Sequence, residues 1–590
     1  MELNKCIVTL HAGTDKAEFI SDLTRPSAKS AIPAREVELY NTRYLDTLCE
    51  FFLTKEEIEE LRGEERVKGV DIKGDRFAVA GEIRDGTFTM VNYAGTGVKD
   101  PADPAYEYDP TVVQSYKQWG FLACGKKSDD PNIVGYPPSS YLFTDNTGYA
   151  LDGEGVDVVI LDDGLLYNHP EFFDENGDSR IQFIDWWTES GVSGTQPAAF
   201  YSAGGGHGTP VASVIAGRTQ GWAPKAKIYS LVLADLIANG AANGFPGQTT
   251  AVELIVGWHK NKGNDRPTIV NMSWANQSFI KSTSDDKAPV GTQAYASTAP
   301  STLADINCAM GVPNTCGPSG WELRYPSPIN TAETELMNQL INAGIVVVGG
   351  TFNNNFLYPL STESALYDFY FSHPDLYGTD GSLGGRIYPC RGSFPAAAVE
   401  TNGCIAVSNA GIEMYESGGK YYFKKNAQSS FGKRIDIFAP GTNILSASWG
   451  DGVVYGEYAI NFPGSSEFYM SSHSGTSFST AQVSGILALW AQVNAIPKHL
   501  QNANVQKNAR KWLFQNAAPN ALWTADPATS NTVADCCGSG VTASNKCSGV
   551  EGLPIYTNSI SDSMSSYITA GSPNRFLFNK FSQASAKIDF

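Results

Sequence analysis

Basic residues, cysteines and long apolar runs are all scarce in this sequence, and each scarcity argues against a class of function. Lys and Arg number 42 against 61 Asp and Glu, a formal net charge of −19. With no basic cluster to offset that balance, nucleic acid and anionic membrane surfaces are not expected as partners. No stretch is apolar enough to cross a bilayer, so membrane insertion is not expected either. The opening residues, Met1-Glu2-Leu3-Asn4-Lys5-Cys6-Ile7-Val8, have no basic n-region and only a short apolar run. They read as a strand and not as a secretory signal, which points to an intracellular or particle-associated setting such as a virion. Ten cysteines in 590 residues are too sparse for a disulfide scaffold, and buried thiols are the default. Cys308 with Cys316, Cys390 with Cys404, or the group Cys536, Cys537 and Cys547 could still bridge loops. None has zinc-ligand spacing with a histidine, so no metal and no cofactor is expected.

What is present is globular: 42% of residues are hydrophobic and 17% charged, enough for a large core plus one or two accessory units. One stretch organises the chain. His473-Ser474-Gly475-Thr476-Ser477-Phe478-Ser479 is small and polar, and it runs through Val483, Ser484 and Gly485 into Ile486-Leu487-Ala488-Leu489-Trp490, which is apolar on every side. That pattern predicts a buried helix whose N-terminus meets a cleft at Ser477. A hydroxyl there has free backbone N–H groups beside it and the positive helix end behind it, both useful to a nucleophile that creates an oxyanion. An ordinary N-cap serine is the competing reading.

Three upstream stretches bear on that choice. Gly155-Val156-Asp157-Val158-Val159-Ile160-Leu161 is a β-branched run ending at Asp162-Asp163-Gly164, where a buried parallel strand would deliver a carboxylate to the sheet edge that gathers ligands. Gly204-Gly205-Gly206-His207-Gly208-Thr209 is a glycine turn feeding a small-residue helix, with no following Lys-Ser/Thr for a phosphate loop. Gly344 to Val348 is another buried strand, leading through Gly349, Gly350, Thr351 and Phe352 to Asn353, Asn354 and Asn355.

These segments, in this order, resemble those of the subtilisin-like serine proteases, with a terminal Gly571–Asn579 stretch similar to the proteinase K-like branch. The resemblance covers the chain from about Trp119 to Asn579. It implies an α/β, three-layer fold with a central parallel sheet. It also implies a serine endopeptidase acting on polypeptides, with Ser477 as nucleophile, His207 as base, Asp162 orienting the histidine, and Asn353 at the oxyanion position. Phe352 stands where the family usually has Gly, which leaves Asn354 and Asn355 as alternatives. His169 reads as structural, and Asp163 as a neighbour without a chemical role. By the same resemblance, substrate pairs in extended form with Ser273-Trp274-Ala275 on one side and residues near Gly247 on the other. Gly349 and Gly350 are expected to leave room for a large apolar side chain before the cut. The segment after His207 lacks the insertion that forms a tight calcium site in many bacterial members.

The N-terminal stretch predicts a small ferredoxin-like α+β unit: a strand over Lys5–Ala12, a helix over Asp15–Leu23, strands over Tyr44–Leu53 and Val67–Ile72, and between them a helix opened by the capping box Thr54-Lys55-Glu56-Glu57. It resembles the inhibitory propeptide of the same family. The domain reading is therefore residues 1–95 as an intramolecular inhibitor, 96–115 as a linker, 116–580 as the catalytic domain with an insertion at about 276–328, and 581–590 as a tail. The rival from another class is a non-catalytic structural or virion-associated subunit that keeps the fold within a larger assembly.

Overall fold

The protein is described from a computed structural model. It describes residues 3–72, 117–125, 142–143, 151–190, 206–233, 247–281, 322–326, 331–351, 353, 395–396, 403–448, 459–522 and 575–579, short stretches within these ranges excepted.

The N-terminal unit is built from β1 (Asn4–Leu10), α1 (Lys16–Thr24), β2 (Leu39–Asn41), β3 (Leu48–Leu53), α2 (Lys55–Arg62) and β4 (Val67–Ile72). Its antiparallel sheet has the order β2-β3-β1-β4, the ferredoxin-like arrangement. Both helices start where the local chemistry demands. Asp15 accepts the Glu18 N–H, and Thr54 and Glu57 form the full capping box, each side chain bonding the other's backbone. Two boundaries differ from expectation. The strand expected from Tyr44 begins at Leu48, and the short β2 was not anticipated, because Leu39-Tyr40-Asn41 is too brief to show an alternating pattern.

The larger unit holds β5 (Asp157–Asp162), β6 (Ile181–Gln182), β7 (Lys227–Val232), β8 (Thr268–Met272), β9 (Val346–Gly350), β10 (Ile405–Ser417), β11 (Lys420–Lys425), β12 (Ile437–Pro440), β15 (Ala518–Pro519) and β16 (Arg575–Phe576); β13 (Ile444–Ser448) and β14 (Tyr469–His473) pair outside this group. Among the described residues the main sheet has ten strands in the order β6-β7-β5-β8-β9-β10-β12-β16-β15, with β11 folded back on β10. Neighbours from β6 through β16 run parallel. The strands β5, β8 and β9 are buried at every position, which is why each carries a β-branched centre, Val158-Val159-Ile160, Ile269-Val270 and Val346-Val347-Val348.

The helices form two pairs. One is α3 (Gly208–Ala216) with α6 (Thr476–Val493), and the other is α4 (Gln248–Asn261) with α5 (Thr331–Asn342); with the sheet between them they make three layers. Every residue of α6 from Thr476 to Ala491 is buried. Each of its large apolar side chains is worth about 2 kcal/mol of transfer free energy, so burial and not helix propensity holds this element in place.

The N-terminal sheet packs on α5 through β1 and β4, Lys260 of α4 pairs with Asp46, and Ile7, Leu45 and Leu48 join the main apolar core. Polar ties fix the register. Asp71 accepts the Ala332 N–H at 3.0 Å, the Asp46 N–H reaches Gln339 Oε1 at 3.1 Å, Gln339 Nε2 reaches Thr47 Oγ1 at 2.9 Å, and Thr47 also bonds Glu335. The stretch 73–116, which would run on from β4, lies outside the described residues, as does most of the 276–328 insertion apart from an antiparallel hairpin of Gln277–Lys281 with Glu322–Pro326.

Candidate active site

The polar edge of the sheet collects its side chains from strand ends and helix starts. Asp162 is the last residue of β5 and only 1% exposed; His207 precedes the first residue of α3 and is 38% exposed. Their bond, His207 Nδ1 to Asp162 Oδ1, is 2.8 Å. With Nδ1–H donating to the carboxylate, Nε2 carries the lone pair. Partial withdrawal from water pulls the imidazole's pKa down, but the charge and hydrogen bond of Asp162 and the charge of Asp163 outweigh it and raise it to about 9.

Ser477 is the second residue of α6 and 8% exposed. Its hydroxyl donates to the Ser273 carbonyl at 2.8 Å, while Ser273 Oγ–H donates back to the Ser477 carbonyl at 2.9 Å. The next residue, Phe478, sets its ring 6.2 Å from the His207 ring. Asn353, three residues beyond β9, is exposed, and its Oδ1 accepts the Thr476 N–H at 2.8 Å. Its Nδ2 lies beside the N-cap, 3.3 Å from where a Cβ on Gly475 would stand. Asn354 and Asn355 lie outside the described residues.

Beyond β8 the chain runs on as Ser273-Trp274-Ala275, and Trp274 Nε1–H donates to the Leu161 carbonyl at 2.7 Å, next in chain to Asp162. Gly247 is the N-cap of α4, and 234–246 before it are outside the described residues. On its Cβ side Gly349 is closely approached: a Cβ there would come within 2.9 Å of both Cys404 Sγ and Pro395 Cγ.

His169 is fully buried, its Nδ1 accepting the Glu171 N–H and its Nε2 contacting the Tyr469 carbonyl at 3.0 Å; burial lowers its pKa to about 4, so it is a neutral structural ring. Glu171, also fully buried, takes the Thr219 and Gln220 N–H groups at 3.0 and 2.8 Å and the Thr219 hydroxyl at 2.8 Å, holding the turn that follows α3. Among the described residues no group of three or more His, Cys, Asp or Glu side chains is arranged to hold a metal. Cys6, Cys49, Cys124 and Cys404 are buried thiols, and the other cysteines lie outside the described residues.

Sequence reasoning missed two features. Asp163, read as idle, sends both carboxylate oxygens to the start of α3; the Asp-Asp doublet at a strand end was the available signal. The glutamines Gln118, Gln220 and Gln482 join the lead-in segment to the nucleophile helix, and no sequence signal marks isolated glutamines as partners.

Fold and site together define a serine-type hydrolase. The profile of the Subtilase family matches residues 153–540, well over half of the chain, and the chain belongs to that family. It is a subtilisin-like serine endopeptidase, and its substrates are polypeptides. Alkaline protease 1 of Aspergillus flavus is 22% identical over 465 residues, covering 77% of this chain and 78% of that protein. A cuticle-degrading serine protease of Arthrobotrys oligospora is 32% identical over 173 residues, 28% of this chain and 36% of that protein. Among solved structures, fervidolysin from Fervidobacterium pennivorans, a keratinolytic enzyme related to subtilisin, gives a TM-score of 0.43 at 16% identity, covering 88% of this chain and 57% of that one.

Proposed function

We propose that this protease cuts peptide bonds with Ser477 as nucleophile, His207 as general base and Asp162 as the group that orients and charges the histidine, under restraint from its own N-terminal unit. The observation that carries the triad is the 2.8 Å bond from His207 Nδ1 to Asp162, which leaves Nε2 as the basic nitrogen of a histidine whose ring packs near Phe478, next in chain to Ser477. The Ser477 side chain leaves the Ser273 carbonyl when substrate arrives and turns to Nε2. His207 then takes the proton, Ser477 Oγ adds to the carbonyl carbon, and His207 returns the proton to the departing amine as the acyl-enzyme forms; water repeats the cycle.

Two donors are assigned to the oxyanion: the Ser477 backbone N–H at the start of α6, and the Asn353 amide, held by its bond to the Thr476 N–H. Extended substrate lies along Ser273-Trp274-Ala275, which runs on from the end of β8, opposite residues near Gly247. The restraint is supported by the seat of the N-terminal sheet on α5, fixed by Asp71 and by the cluster of Thr47, Glu335 and Gln339. The test of the triad is a fluorophosphonate probe with peptide hydrolysis measured in parallel. Labelling at Ser477 that His207→Ala abolishes supports it, whereas an unlabelled Ser477 after proteolytic trimming of the N-terminal unit favours a structural subunit.

A further inference from the structure

The turn after β5 and the first turn of α3 are joined more tightly than a loop crossing requires. Asp163 Oδ2 accepts the His207 N–H at 2.9 Å, Asp163 Oδ1 accepts the Gly208 N–H at 2.7 Å, and the Leu166 N–H donates to Thr209 Oγ1 at 2.8 Å. The carboxylate is 4% exposed, so water does not compete for it. His207, the N-cap residue, makes no capping bond with its own side chain; the cap is supplied from Asp163 instead. Gly208 permits this approach, since a Cβ there would fall 2.3 Å from the Gly164 carbonyl oxygen and 3.2 Å from the Asp162 Cβ.

We propose that Asp163 is a positioning residue for the general base, its carboxylate clamping the two N–H groups at the start of the histidine's helix and so fixing where the His207 ring stands relative to Asp162 and Ser477. The inference rests on the triad reading above. Because ring nitrogen and carboxylate must meet within a few tenths of an ångström, movement of the His207 backbone is passed directly to the reacting distance. Asp163 also acts through charge. Its side chain is spent on α3, its own N–H goes to Asp162 Oδ1 at 2.9 Å, and Asp162 Oδ2 has no hydrogen-bond partner among the described residues. Both carboxylates raise the imidazole's pKa, and since burial and then the Asp162 charge lift Asp163 itself only to about 6, it is ionised where His207 titrates near 9. The other titratable ring near the base, His473 on β14, is lowered to about 4 and stays neutral wherever His207 titrates.

Asp163→Asn tests the proposal, because it keeps the side-chain size but offers one acceptor and no charge. Hydrolysis of a peptide substrate is measured from about pH 6 to about pH 10, with thermal unfolding as a check on folding. The expected result is kcat lower by at least roughly tenfold with KM within about twofold, and an acid limb of kcat/KM moved to lower pH. A merely structural loss would lower activity without moving the limb. If the Asn variant does not accumulate, Asp163→Ser carries the same test, since its hydroxyl can accept one of the two N–H groups. Full kcat, or an unmoved limb, overturns the proposal. Ser477→Ala and His207→Ala are run beside it: if either retains turnover the triad reading has failed, and if both are dead while Asp163→Asn matches the unmodified protein, only the role of Asp163 has.

Discussion

Ser477 and Ser273 hold each other through two reciprocal bonds, hydroxyl to carbonyl in each direction, at 2.8 and 2.9 Å. The nucleophile's resting partner is thus the backbone on which substrate is proposed to pair. A substrate N–H that takes over the Ser273 carbonyl would release the hydroxyl toward His207, linking occupancy of the cleft to activation of the serine.

Ser477→Ala is expected to abolish hydrolysis and leave the fold intact. Alanine suits the second position of a helix, and the loss of one exchanged hydrogen bond costs only about 1 kcal/mol. Turnover by this variant at the original rate would remove Ser477 from the mechanism; circular dichroism and thermal unfolding check the fold.

Activity should rise with pH, because only neutral His207 accepts a proton, and the limb of kcat/KM should lie near the raised value of about 9 and not near 6.5. Stability should run the other way. The folded protein holds this proton more tightly than the unfolded chain, so the contribution is complete below about pH 6.5 and is lost as pH rises through the folded value of about 9. Denaturant unfolding of Ser477→Ala, which avoids autolysis, should show that decline, and His207→Ala in the same background should lack it.

Asn353→Ala should lower kcat by about a hundredfold while KM changes little, since the amide meets a charge that exists only in the transition state. An unchanged kcat would pass the role to Asn354 or Asn355.

Glu171→Ala should cost about 3 kcal/mol or more, because two backbone N–H groups and the Thr219 hydroxyl lose a buried carboxylate acceptor. Calorimetry on the inactive Ser477→Ala background reads this directly; a shift of less than about 1 kcal/mol would mean water replaces the carboxylate.

Trimming the N-terminal unit after folding should raise peptide hydrolysis at least roughly tenfold, equivalent to about 1.4 kcal/mol of inhibitory binding. Gly69→Leu should give part of that gain without cleavage, since a Cβ at Gly69 already meets Thr331 Oγ1 at 2.9 Å and a larger side chain would push β4 off α5. No gain from either, with Ser477 still open to the probe, would show that the unit does not restrain the enzyme.

Where burial or capping sets local structure, the sequence was legible. The strand before Asp162, the helix after Ser477 and the Thr54–Glu57 capping box follow from β-branched runs, an all-round apolar helix and a four-residue signature. The contacts that aim those elements were not. Asp163 is one acidic residue in a doublet until α3 is folded against it, and nothing in the sequence shows that Pro395, Ala396 and Cys404 come close to Gly349. Both depend on residues far apart in the chain, which periodicity does not report.

One strand inside the main sheet comes last in the chain. Arg575–Phe576 lies parallel to β12, Phe576 stacks on Phe423 at 4.2 Å, and the Asn579 N–H donates to the Cys124 carbonyl in the helix Gly120–Gly125. A ribosome that has already released Asp162, His207 and Ser477 has still not supplied the strand that seals the core or the bond that ties it to the lead-in helix. A nascent chain that carries all three reactive groups therefore still lacks the strand between β12 and β15, and the sheet can be completed only when nearly the whole chain has been made.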